Sequence, residues 1–457
     1  MNFIRWFSIC NVFFSFLLSS NSRADQLHYN NVLVGERAQG LGGAYTAVAD
    51  DASGVVYNPA GLAFAQSNDI SGSANAFYEK KTTYKEAFLG KDFTEKSGGT
   101  FAPFFGATQK LDKFVTGLSA GFAFYAVDTD IKDQDDLIEN VSQPFTQPGT
   151  DVIGEQRIDR YHRTANSRAS TSALEIAAAY RVAGNFALGL SIGIQNIDEL
   201  DQVFQDRRDV YTLTNSVTNF YFSQNVRQRL RANGLTSGIG AQISVTPKLS
   251  IGAVVKGGQY VWQHLEFQSE KRTQSVTTKK DPTTGVITSE AVTCMTAGTS
   301  YCAEVSTVDK KPLGTMPINA RVGLAYFASQ RLLMTADANY YSKSSNSNSQ
   351  YLREQTYNLA AGAEYYLTPS IPVRAGLFTN NSAAPKMNPS DYPNGQPDHV
   401  DYKGASLFFA FVQPNSQVAL GGFYQMGSGE ARKTGLADIQ TVVSNAYTTS
   451  LSATHSF

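Results

Sequence analysis

The chain has 457 residues, a net charge of −1 and only 17% charged residues, which excludes a basic, nucleic-acid-binding protein. Its 37 glycines, 28 phenylalanines and 23 tyrosines make an aromatic, turn-rich composition that favours strands over helices. No apolar run after the first residues reaches the roughly 20 residues of a membrane-spanning helix, so a membrane-embedded form of this chain has to be built from strands.

Taken in order, residues 1–24 read as a secretory leader. Arg5 supplies the positive charge, Trp6 to Leu18 the apolar core, and Ser22-Arg23-Ala24 a small-x-small cleavage site. The mature chain is then expected to start at Asp25. Cys10 lacks the small-residue context of a lipidation site.

The next stretch, 35–63, reads GERAQGLGGAYTAVADDASGVVYNPAGLA. Its small side chains cannot bury enough apolar area to offset roughly 1–2 kcal/mol of backbone entropy per residue, so it needs a container. Gly40, Gly42 and Gly43 permit tight turns and close approach of other segments. Asn58 is kept from the helical region by the following proline and is placed to cap a short turn in which Pro59 takes the first helical position, with Ala60 behind it. GLGG also fits a phosphate-binding loop, but that motif needs a strand before it and a long helix after it. Neither is present.

At this stretch the chain resembles the outer-membrane long-chain fatty-acid transporters of the FadL type and their TodX-like relatives that admit aromatic hydrocarbons. The resemblance rests on Arg37, Ala38, Gly40, Gly42, Gly43 and Ala44, then Asp50 to Ser53, then Tyr57 to Leu62. It implies an N-terminal plug, residues 25–67 here, seated in a transmembrane barrel, 68–457. The plug residues it singles out are Arg37, Gly40, Gly42, Gly43, Asn58, Pro59 and Ala60. It also implies passive carriage of hydrophobic molecules, with release sideways through the wall.

The rest of the chain alternates with period 2. In 446–457, Tyr447, Thr449, Leu451, Ala453, His455 and Phe457 share one face, and Thr448, Ser450, Ser452, Thr454 and Ser456 the other. That suits a strand with lipid on one side and a wet lumen on the other. About fourteen such segments follow one another from Ile70 to Phe457. The connections alternate strictly between short (110–114, 183–185, 246–248, 328–331, 368–372, 413–416) and long (79–99, 128–167, 201–234, 268–316, 342–356, 380–401, 427–445). The fold class expected is all-β: an antiparallel transmembrane barrel of about fourteen strands with short periplasmic turns and long outer loops.

Cys294 and Cys302 fall in one long loop, where an oxidising compartment would favour a loop-closing disulfide. With no histidine nearby they do not make a metal site. The acidic group Asp128, Asp130, Asp133, Asp135 and Asp136 lacks the glycine and terminal glutamate of a calcium loop and reads as solvated. The five histidines stand apart and in no nucleophile motif, so no catalytic residue, metal or cofactor is assigned and the chain is read as a non-enzyme. His264 reads as an interfacial residue. In the long loop 201–234, Val210, Leu213, Val217 and Phe220 recur at intervals of three and four with Tyr221 beside them, which predicts a short amphipathic helix. In the resembled family, helices in such loops capture substrate.

The partners expected are fatty acids or hydrocarbons, outer-membrane lipid and lipopolysaccharide, with the chain acting as a monomer. The other functional classes open to this sequence are a general porin and a barrel adhesin.

Overall fold

A computed structural model of the chain describes residues 27–99, 102–146, 153–281, 283–284, 286–294, 303–310, 313–344, 352–388, 397–433 and 439–457. The expected leader lies outside the described residues. So does the expected disulfide, through Cys302.

Among the described residues seventeen strands run antiparallel: β1 (Asp69–Phe88), β2 (Lys91–Gly99), β3 (Ala102–Lys110), β4 (Leu118–Thr146), β5 (Ile153–Ala183), β6 (Phe186–Leu213), β7 (Ser216–Thr246), β8 (Leu249–Lys280), β9 (Ile287–Cys294), β10 (Ala303–Lys310), β11 (Asn319–Phe327), β12 (Leu332–Tyr341), β13 (Thr356–Thr368), β14 (Ile371–Asn380), β15 (His399–Gln413), β16 (Ser416–Ala431) and β17 (Gln440–Ser456). Fourteen of them form a closed barrel, and β2, β9 and β10 lie outside that ring. The ring closes at β1, where Asp69 faces Ser456 of β17 on one side and Thr108 of β3 on the other. It also passes directly from β8 to β11, with Gly252 opposite Gly323. Closure matters because an open sheet edge in lipid would leave backbone polar groups unpaired.

Alternation sets the two faces. On β6, Leu188, Leu190, Ile192 and Ile194 point out, Leu190 being 60% exposed, while Ala187, Gly189, Ser191 and Gly193 point in, Ser191 being 4% exposed. Outward leucines, valines and aromatics recur on β11, β13, β15, β16 and β17, forming the apolar band of a transmembrane barrel. The short connections are two to seven residues long and gather at one end of the ring.

The other end departs from the sequence reading. β4 to β8 contain 29, 31, 28, 31 and 32 residues, whereas a tilted strand crosses a bilayer in roughly 9–11. Residues expected to form long loops instead continue the sheet: at about 3.3 Å per residue, β5 and β7 each run for about 100 Å. The helix expected in 201–234 is therefore corrected. β6 and β7 form a hairpin with Leu213 opposite Ser216, and a spacing of three and four splits such residues between the faces of a strand. Val210, Val217 and Tyr221 fall on one face, Leu213 and Phe220 on the other. Phe220 packs with Phe222 and Tyr211.

Inside the far end, Tyr84, Phe88 and Phe93 of the β1–β2 hairpin pack on Tyr161 of β5, on Val400 and Tyr402 of β15 and on Val442 of the neighbouring β17. The Phe88 and Tyr161 rings are 4.6 Å apart. At the centre of this contact is Glu95, buried, with Lys132 Nζ and Lys433 Nζ each 3.0 Å from Oε2 and Arg163 Nη1 3.1 Å from Oε1. Burial opposes ionisation of Glu95, but Lys132, Lys433 and Arg163 outweigh it and hold the carboxyl well below the usual range. A lowered carboxyl pKa adds stability that is present above the unfolded value of about 4.3 and is lost as pH falls through the folded one.

Glu95→Gln is expected to leave three cations around a neutral amide and to destabilise the far end by about 3–5 kcal/mol at neutral pH. Limited proteolysis of the β1–β2 hairpin should then be faster at pH 7. Acidification below about pH 4 should loosen the natural protein but not the variant further. Equal protease resistance of the two at pH 7 would contradict this.

Candidate functional site

The described N-terminal residues, from Leu27 to Asn68, lie against the inward face of the ring. They contain a helix of one turn (Glu36–Gly40), a second (Gly54–Tyr57) and a 3-10 turn (Pro59–Phe64). Asn58 Oδ1 accepts from Ala60 N at 3.1 Å, and Pro59, which has no N–H to satisfy, opens the turn. The Asn58 amide also donates to Thr46 O at 2.8 Å and to Ala241 O of β7 at 3.1 Å. Gly42 and Gly43 have φ of +65° and +85°, a region that side chains strain to reach.

Small wall residues make room for this backbone. A β-carbon on Gly376 of β14 would overlap Gly42, and one on Gly240 of β7 would overlap Asn58. Arg37, Gly40 and Gly42 are thus brought to β13–β15, with Gly43 against Leu33 of the segment itself, whereas Asn58, Pro59 and Ala60 are brought to β6 and β7. These contacts are about six strands apart in the ring of fourteen, so the segment crosses the lumen close to a diameter.

Charge fixes one end of it. Arg374 of β14 pairs with Glu36 of the segment and, at 2.5 Å, with Glu364 of β13. Arg37 grips both oxygens of Glu364 at 3.1 Å and reaches Asp50 at 2.9 Å. Gln417 of β16 donates to the second Glu36 oxygen. Farther round, Asp337 Oδ2 of β12 accepts from Tyr45 N, Thr46 N and Thr46 Oγ1 at 3.1, 3.0 and 2.5 Å. Arg37 is the member of this network that the sequence reading named. Glu36, Asp337, Glu364 and Arg374 were not, although a charged residue on the small-residue face of an otherwise apolar strand such as LLMTADANYY or IPVRAGLFTN marks a lumen group.

Between the segment and β4–β8 and β11–β12 is a cavity of about 260 Å³, a little below the roughly 300–1,000 Å³ of sites that enclose drug-sized ligands. Val32, Val34, Val56, Ile197 and Met316 supply apolar lining, and Tyr29, Tyr57, Tyr125, Tyr260 and Tyr341 supply rings with polar tips. Three cations reach it. Lys256 is neutralised by Glu175 at 2.7 Å. Arg321 stands over the Tyr57 ring at 5.1 Å, and its Nε is buried without a hydrogen-bond partner among the described residues. Arg353 stands over the Tyr29 ring at 5.9 Å, and Tyr29 stacks on Tyr341 at 4.0 Å. Tyrosine hydroxyls take part of the N–H edges, Tyr341 that of Arg321 and Tyr260 and Tyr29 that of Arg353, and Arg321 Nε is the donor left beside the cavity. The stripe from Val210 to Tyr221 does not line this cavity.

These features define a closed fourteen-strand transmembrane barrel with its N-terminal segment across the lumen. No protein-family model matches the sequence, and no curated protein sequence matches it. Among solved structures, the chain is similar to a Pseudomonas aeruginosa FadL homologue at 13% identity, covering 95% of this chain and 100% of that one with a TM-score of 0.58. It is also similar to the P. putida toluene transporter TodX (12% identity, 93% and 98% covered, TM-score 0.55) and to the CymD monoaromatic hydrocarbon channel (15% identity, 94% and 99%, TM-score 0.52). In fold the chain is a FadL/TodX-type barrel.

Arg374→Met should leave Glu36 and Glu364 buried with one cation fewer, weakening the seat of the segment by about 3–5 kcal/mol without opening the wall. Hydrogen exchange should rise at the amides of residues 36–44 while those of β12–β16 stay protected. Unchanged exchange at 36–44 would show that the ion pairs do not hold the segment.

Proposed function

We propose that this protein carries hydrophobic molecules, long-chain fatty acids first among them, across the bacterial outer membrane by passive diffusion, with residues 25–67 as the plug of the barrel 68–457. The cavity carries this reading. Its apolar and tyrosine lining suits a hydrocarbon chain, and the N–H edges of Arg321 and Arg353 suit a carboxylate, which a guanidinium can bind in bidentate fashion. A hydrocarbon without a head group would leave Arg321 Nε unanswered, and buried polar groups without partners are costly. The names of TodX, a toluene transporter, and CymD, a monoaromatic hydrocarbon channel, support carriage of apolar solutes as a class. In this reading the short turns face the periplasm and the long strands face outward.

Aromatic hydrocarbons are the second reading, favoured by the five tyrosines around the cavity. The two separate cleanly. Arg321→Met with Arg353→Met should weaken oleate binding by about 1.5–3 kcal/mol, the usual worth of hydrogen bonds to charged groups, and leave toluene binding unchanged. Calorimetric titration of both ligands in detergent measures this. Equal oleate affinity in the natural and variant proteins would remove the fatty-acid reading.

The role of the plug is tested through Asn58→Ala with Pro59→Ala, which removes the turn and the Asn58 bonds to Thr46 and Ala241. In cells with equal amounts of folded barrel, fatty-acid uptake should fall and leakage of small polar solutes should rise. If both fluxes match those of the natural protein, 25–67 is not a plug.

A further inference from the structure

The outward face of β5–β8 changes character abruptly above the apolar band. On β7 the last lipid-facing residue is Leu235, and the same face continues as Asn233, Arg231, Arg229 and Arg227. Sheet register places Arg168 of β5 and Arg229 of β7 on either side of Leu200, and puts Arg227 beside Gln202. Four guanidinium groups therefore share one patch of a rigid sheet.

Two of them are neutralised locally, Arg229 by Asp198 at 3.2 Å and Arg231 by Glu266 at 3.1 Å. Arg168 and Arg227 are exposed and have no ion-pair partner among the described residues. Asp133 is diagonal to Arg168 across the β4–β5 ladder, and Glu270, paired with Arg272 at 2.7 Å, is diagonal to Arg227 across the β7–β8 ladder; with all three counted the patch holds one positive charge in excess. At the lower edge of the patch is Trp262, exposed and opposite Asn233, with its ring stacked toward His264 at 6.3 Å. An amphipathic ring at that depth marks the boundary between hydrocarbon and head groups.

We propose that this patch is a docking surface for a phosphorylated glycolipid of the outer leaflet, lipopolysaccharide, whose phosphates sit on Arg168 and Arg227 while its acyl chains lie along the apolar band below Trp262. The inference rests on the orientation stated above, with the long strands outward. Charge complementarity selects this occupant: arginines in fixed register just above hydrocarbon meet phosphates held at head-group depth. A zwitterionic lipid brings no excess negative charge to that depth.

The test uses the full chain with Trp6→Phe, which leaves Trp262 as its one tryptophan, in zwitterionic detergent. Titration with diphosphoryl lipid A should give a saturable change in Trp262 emission. Arg168→Gln with Arg227→Gln should weaken that binding about tenfold or more, because charge-assisted bonds to phosphate are lost. Arg168→Lys with Arg227→Lys should keep most of it, since the charge remains, and added salt should weaken it in the natural protein. Oleate titration and the folded band on an unheated gel control for the barrel, and oleate binding reports on the transport reading independently. Equal lipid A affinity in the glutamine variant would overturn the proposal. So would equally tight binding of the dephosphorylated glycolipid, or displacement by inorganic phosphate at matching concentration.

Discussion

Within a bilayer no water is available to satisfy a backbone amide, and that constraint decides most of this structure. The ladder has to close on itself, which it does where β1 meets both β17 and β3. Closure at fourteen strands leaves a lumen too wide for strand side chains alone to fill. The first described residues fill it, and the wall is shaped to take them, with Gly240 and Gly376 set where the Asn58 and Gly42 backbones approach. The segment in turn has too little apolar bulk to fold unaided. Wall and segment therefore determine each other.

What locks them is charge in a place where charge is expensive. Arg374 and Glu364 are almost wholly buried, and desolvating such groups costs several kcal/mol per ion unless geometry and further hydrogen bonds repay it. Here repayment is shared by wall and segment: Glu36 and Arg37 complete partners that β13 and β14 supply. The seat has directional specificity as a result. A segment shifted by one residue would leave Glu364 and Arg374 partly unpaired, which apolar packing of alanines and glycines could not enforce.

The strand pattern was legible because lipid and lumen impose opposite demands on alternate residues, so Leu188 to Ile194 reads as a strand at sight. The same logic explains the miss at the far end. Beyond the bilayer both faces of β6 and β7 meet water or half-polar neighbours, hydrophobic contrast fades, and DQVFQDRRDV carries no clear period of two. The spacing of Val210, Leu213, Val217 and Phe220 then imitated a helix although the backbone continued as a hairpin. The glycine-rich stretch 35–63 announced its need for a container. Its anchors did not announce themselves, because Glu364 and Arg374 are single letters whose partners are over three hundred residues away in Glu36 and Arg37.

Three buried charge clusters differ in what compensates them. Around Glu95 every charge meets an opposite one, three cations against Glu95 with Asp136 also facing Arg163, and Tyr84 and Phe93 seal the contact from within. Around Glu364 and Arg374 compensation is equally full and comes from the protein itself. Arg321 and Arg353 differ from both. They are met by the faces of Tyr57 and Tyr29, which stabilise a cation by about 0.5–2 kcal/mol, and by tyrosine hydroxyls, Tyr341 for Arg321 and Tyr260 and Tyr29 for Arg353, while Arg321 also faces the Asp337 carboxylate. What sets Arg321 apart is its place: its Nε is a buried donor without a partner among the described residues and it borders an apolar cavity, so under the proposed transport reading it is the donor that a carboxylate head group would meet.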